Sequence, residues 1–70
     1  MSASSIGIRL KSYLDQNGIK YSFVAEKANI APPAMSLILA GTRDIKVLDY
    51  YRICKALQVP LEKFIDEEDE

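Results

Sequence analysis

The stretch from Lys20 to Arg43, KYSFVAEKANIAPPAMSLILAGTR, restricts the possible folds of this chain more than any other. Tyr21, Val24, Ala25 and Ala28 recur at i, i+3, i+4 and i+7, one face of an α-helix. Asn29 follows, and asparagine is second only to glycine in accepting the left-handed backbone that closes a helix. Pro32 and Pro33 stand where a second helix can begin, because first-turn N–H groups have no internal partner to lose. Met35, Ile38 and Leu39 then repeat at helical spacing until Gly41 stops the run. Two short helices joined by a turn of three or four residues make a helix-turn-helix unit, with Ile30 plugging its corner.

The flanks read as helix too. Ser4 or Ser5 can cap a first helix over about residues 5–16, with Ile6, Leu10, Tyr13 and Leu14 as its apolar stripe. Gly7 weakens its first turn, and Asn17-Gly18 ends it. The central pair spans about 21–28 and 32–40, and residues 42–46 form a loop. A fourth helix over about 47–57 places Val47, Tyr50, Tyr51, Cys54 and Leu57 on one face, with Ile53 on its flank. Val59-Pro60 breaks it, and Leu61, Phe64 and Ile65 suggest a last short helix over 61–65. The expectation is one all-α domain over residues 1–65, a compact five-helix bundle, followed by a solvated, disordered acidic tail at 66–70.

Function classes fall away on residue content. The chain has no histidine, so the commonest general base and metal ligand is missing. Its one cysteine, Cys54, can close neither an internal disulfide nor a zinc site, and it reads as a small buried hydrophobe. No glycine-rich phosphate loop occurs, and the carboxylates cluster in the tail rather than in a catalytic pair. Tyr13, Tyr21, Tyr50 and Tyr51 are better explained by packing than by acid–base work. An enzyme, a metal centre, a cofactor and a small-molecule substrate are therefore not expected. No apolar run approaches the roughly 20 residues that span a membrane, and MSASSIGIRLK lacks the basic-then-apolar order of a signal peptide. A cytoplasmic location is the default expectation.

The net charge of −1 conceals an uneven distribution. Asp66 to Glu70 is an unbroken acidic run, whereas residues 1–65 carry nine basic and five acidic side chains, a balance of +4. A mildly basic body is compatible with a polyanionic partner. The tail's simplest role is solubility. A sharper one is to fold over the basic face and compete with phosphates.

Val24-Ala25-Glu26-Lys27-Ala28-Asn29-Ile30, with Met35-Ser36 and Gly41-Thr42-Arg43, resembles the Cro/CI-type (XRE-like) helix-turn-helix family of phage and bacterial transcriptional regulators. Downstream, Ile53-Cys54-Lys55-Ala56-Leu57-Gln58-Val59 stands where that family usually reads I-A-K-A-L-G-V, so the resemblance covers about residues 5–65. It implies a lambda-repressor-like DNA-binding domain whose second motif helix lies in the major groove of double-stranded DNA. Carried over by position, the base-facing residues are Tyr21, Pro32, Pro33, Ala34 and Leu37. The phosphate-facing set is Lys20, Lys27, Thr42, Arg43 and Lys46. Pairing into a homodimer is expected as well, with Phe64 and Ile65 as contact candidates.

The chain departs from the pattern where bases would be read. Tyr21 replaces the frequent Gln, and Ala31 replaces the capping Ser or Thr. Pro, Pro, Ala and Leu offer no side-chain hydrogen bonds, so base discrimination would rest on thymine methyls, on Tyr21 or on DNA shape. Two readings stay open. One is a repressor-like DNA-binding regulator. The other uses the same fold as a protein-interaction module, an antitoxin or accessory regulator, through Pro32, Pro33, Ala34 and Leu37 joined by Phe23.

Overall fold

Four α-helices and one short 3-10 turn account for the ordered segments of the computed structural model, which describes residues 3–65. They are α1 (Ala3–Gln16), α2 (Tyr21–Ala28), α3 (Pro32–Leu39) and α4 (Val47–Leu57), with the 3-10 turn at Leu61–Phe64. The expected acidic tail at 66–70 lies outside the described residues. The expected fifth helix is not an α-helix. Only four residues separate Pro60, which has no N–H to donate, from extended Ile65, so the segment closes with i→i+3 bonds. Lys63 N–H donates to the Pro60 carbonyl at 3.1 Å and Ile65 N–H to that of Glu62 at 3.2 Å. Helix α1 already includes Ser4 and Ser5, so neither occupies the capping position expected of it.

All four helices end in the same way. Gly18, Asn29, Gly41 and Gln58 have positive φ of 64°, 58°, 78° and 59°. The following residue donates its N–H back five positions: Ile19 to Leu14, Ile30 to Ala25, Thr42 to Leu37 and Val59 to Cys54, at 2.9 to 3.2 Å. This is the Schellman closure, which satisfies carbonyls left over at a helix end. Asn17 reinforces the first through its side-chain amide, which donates to the Tyr13 carbonyl at 2.8 Å.

These closures turn the helices around one core. Leu10 and Leu14 of α1, Val24 of α2, Met35 and Ile38 of α3, and Ile53 and Cys54 of α4 are its fully enclosed members. Ile30 is buried at the α2–α3 corner, as the helix-turn-helix reading expects. Ile45, from the loop before α4, is buried without belonging to any helical pattern. Helix α2 packs on α3 and α4, α1 packs on α3, and the 3-10 turn lies against α1 and α4. The inward face of α4 is Tyr50, Ile53, Cys54 and half-buried Leu57. Val47, placed on that face by the sequence reading, is 87% exposed, and Tyr51 is exposed too. The buried stripe is centred on Ile53 rather than flanked by it.

Phe64 closes the base of the core. Its ring meets those of Tyr13 and Tyr50 edge-on, at centroid distances of 5.4 and 6.4 Å. The Tyr50 hydroxyl donates to the Leu61 carbonyl and ties α4 to the 3-10 turn. Burial pushes this phenol up to about 12. Burial also raises the Cys54 thiol, which keeps it protonated and unreactive at neutral pH.

Candidate nucleic-acid interface

Three residues, 29 to 31, separate α2 from α3. The N-terminal halves of the two helices form a small cleft lined by Tyr21, Ser22, Ala25, Pro32, Met35 and Ser36. It brings together Tyr21 and Pro32 from the expected base-facing set. It also adds two residues outside that set, Ser22 and Ser36, whose exposed hydroxyls have no described partner. Helical phase marks Ser36 in the sequence, since it stands one turn beyond Pro32. The Ser36 hydroxyl restores hydrogen-bonding capacity to α3, which otherwise presents apolar groups there, and Ser22 adds a second hydroxyl from α2. Pro33 is exposed and Leu37, four residues on, is 48% exposed, so both lie on the outer surface of α3. Ala34 is only half exposed because it packs partly against the core.

Tyr21 is held from behind. Its hydroxyl donates to one carboxylate oxygen of Asp15, and Lys11 Nζ reaches the other at 3.1 Å. The network ties the last turn of α1 to the first residue of α2. It holds the Asp15 carboxyl below its ordinary value, chiefly through the Tyr21 hydroxyl and next through Lys11. The same hydrogen bond raises the Tyr21 phenol. The hydroxyl proton of Tyr21 is thus committed, while its ring remains partly exposed and fixed in place.

The helix starts are unusual. Lys20, Ala31 and Lys46 are the N-cap residues of α2, α3 and α4, and none makes a side-chain capping bond. Their carbonyls accept the first helical bonds, from Val24 at 3.3 Å, Met35 at 3.0 Å and Tyr50 at 2.9 Å. The starts of α2 and α4 therefore lack a side-chain cap for their first-turn N–H groups, and each has a lysine in the capping position. An uncapped start carries about half a unit of positive charge, and lysine there adds to it. Helix α2 has no acidic residue in its first turn, whereas Asp49 in the first turn of α4 offsets part of that charge, so the α2 start is the more positive of the two. Such an end suits an anion. Thr42 and half-buried Arg43 precede the α4 start in the same loop, and the Thr42 hydroxyl donates to the Leu37 carbonyl at 3.2 Å.

Lys27 and Phe23 lie elsewhere. They line a groove of about 600 Å3 against α4, together with Tyr51, Arg52 and Lys55. Phe23 therefore does not extend the apolar strip of α3 in the way the sequence reading expects: one turn of α2 presents Ser22 and Ala25 to α3 but Phe23 to α4. The two dimer candidates also separate. Phe64 is 4% exposed and belongs to the core, whereas Ile65 is exposed and borders an apolar groove of about 720 Å3 with Val47, Leu48, Tyr51 and Leu61.

Residues 10–64 match the protein-family model described as Helix-turn-helix. The chain belongs to that family, of the XRE type that includes the Cro/CI regulators, and is a DNA-binding helix-turn-helix domain. The family is one of regulatory DNA-binding domains, not of enzymes. No curated protein matches the chain. Among the described residues, no helix is long and apolar enough to cross a membrane.

Proposed function

We propose that the protein is a repressor-like transcriptional regulator that binds double-stranded DNA as a homodimer. The observation that carries this reading is the pair of uncapped helix starts, α2 and α4, each with lysine at the cap. They would take backbone phosphates on either side of α3, supported by Thr42 and Arg43. Helix α3 would then enter the major groove. Pro32, Pro33, Ala34 and Leu37 would meet thymine methyls, and Ser22, Ser36 and the ring of Tyr21 would supply the remaining base-edge contacts. Lys27, on the α4 side of α2, is the least favoured member of the phosphate set.

Pairing would use the apolar groove beside Ile65, because Phe64 is already spent on the core. A single module covers little DNA, and two copies on adjacent half-sites would raise both affinity and selectivity.

The test is a salt titration of binding to duplex DNA from a randomised pool, with and without residues 66–70. Affinity should fall by orders of magnitude between low and physiological salt while selected sequences remain preferred. No binding at low salt, even without the tail, would overturn the reading. The exposure of Leu37 beside Pro33 then favours the protein-interaction module, and Leu37→Glu should abolish capture of its partner.

A further inference from the structure

The groove between α2 and α4 has a chemistry of its own. Lys27, Arg52 and Lys55 line it, with Phe23 and Tyr51 between them, and no carboxylate does. Lys27 Nζ lies 5.8 Å from the centroid of the Phe23 ring, and Lys55 Nζ lies 5.8 Å from that of Tyr51. Each ammonium is thus drawn over an aromatic face. No described ion pair engages any of the three cations. Three unpaired positive groups around two rings, on the side of α2 turned away from the α2–α3 cleft, would attract a short run of carboxylates.

The chain carries such a run. Asp66, Glu67, Glu68, Asp69 and Glu70 follow Ile65 without interruption. Ile65 borders the apolar groove at Tyr51, and Tyr51 also forms one wall of the basic groove. Lys55 stands one α4 turn beyond Tyr51, roughly 6 Å along the helix. Five residues span up to about 17 Å. Ile65 and Tyr51 share one groove, and Tyr51 shares the next with Lys55 and Arg52, so an extended run of five residues leads from Ile65 past Tyr51 towards these cations.

We propose that the basic–aromatic groove of α2 and α4 is a docking site for an acidic peptide, and that its occupant is the chain's own residues 66–70, bound in cis. The docked tail neutralises this groove rather than the uncapped helix starts. Of the residues proposed to meet phosphates it covers Lys27 alone, and its docking does not depend on DNA binding.

The experiment compares amide and side-chain NMR spectra of the full chain with those of a variant carrying Asp66→Asn, Glu67→Gln, Glu68→Gln, Asp69→Asn and Glu70→Gln, without DNA. The largest shifts are expected at Phe23, Lys27, Arg52, Lys55 and Gln58. They should be unchanged on tenfold dilution and reproduced in the unmodified chain by high salt. In an Arg52→Gln, Lys55→Gln background, neutralising the tail should no longer move Phe23 and Lys27. Shifts confined to residues 60–65, shifts centred on Ser36, Leu37, Thr42 and Arg43, or shifts that fade on dilution would each overturn the proposal.

Discussion

Gly7 of α1 lies directly against the backbone carbonyl of Ile38 in α3: a Cβ on Gly7 would fall 2.0 Å from that oxygen. The sequence presents Gly7 only as a weak point in a helix. The structure makes it the place where two helix backbones touch. Gly7→Ala would ordinarily gain about 1 kcal/mol of helix propensity. Here it must push α1 off α3, an overpacking cost of roughly 1–3 kcal/mol or more. We expect net destabilisation by about 2 kcal/mol, read as a drop in thermal midpoint of roughly 10 °C for a domain of this size. An unchanged or higher midpoint would show that the contact relaxes at little cost.

Gln58 closes α4 at φ 59°, a left-handed backbone that glycine adopts most readily. A left-handed backbone is strained by roughly 1–2 kcal/mol in residues with a Cβ, and glutamine lacks the short polar side chain that eases asparagine into it. Gln58→Gly should raise stability by about 0.5–1 kcal/mol, once the extra freedom of glycine in the unfolded chain is deducted. Gln58→Ala should give no such gain. Equal midpoints in urea for all three proteins would refute this account.

Lys20 and Lys46 place a positive charge on the positive end of a helix. Both have the extended backbone that a capping side chain requires. Serine at either position should therefore stabilise the fold by about 0.5–1 kcal/mol. The same change should weaken DNA binding and reduce the magnitude of its salt slope by about one unit. Stability and affinity thus move in opposite directions. A stabilised variant with unaltered affinity and slope would remove that lysine from the phosphate-binding set.

Tyr50 gives the fold an alkaline limit. Its phenol stays protonated in the folded chain up to about 12, chiefly because burial disfavours the anion, but ionises near 10 when exposed by unfolding. The unfolded chain loses the proton first, so the stabilisation is complete below pH 10 and is lost as pH rises towards 12. Tyr50→Phe should cost about 1 kcal/mol at neutral pH through the missing bond to Leu61. It should also remove this share of the decline above pH 10. Parallel urea midpoints for the two proteins from pH 7 to 12 would contradict the assignment.

The helix-turn-helix was legible because its signals are local. The stripe of Val24, Ala25 and Ala28, the left-handed Asn29 and the paired prolines each act within one helical turn, and α2 and α4 occur over the residues their patterns imply. Which face of α4 turns inward was less legible. Val47 and Tyr51 satisfy a helical period as well as Ile53 does, and only packing against α2 and the 3-10 turn decides between them. The base-facing set came from position in the motif, and so it missed Ser22 and Ser36, which enter the cleft only because two helices converge there.

The sequence by itself determined the four α-helices, the stops at Gly18, Asn29 and Gly41 and the basic balance of residues 1–65, since propensity, capping and charge are properties of neighbouring residues. Tertiary structure alone decided that Gly7 is a contact and not a flaw, that Phe64 belongs to the core while Ile65 faces outward, and that Lys27 joins Arg52 and Lys55 rather than the α2 start. Each of these depends on the distance between segments far apart in the chain. No local pattern encodes that distance; it follows from how four helices share one core.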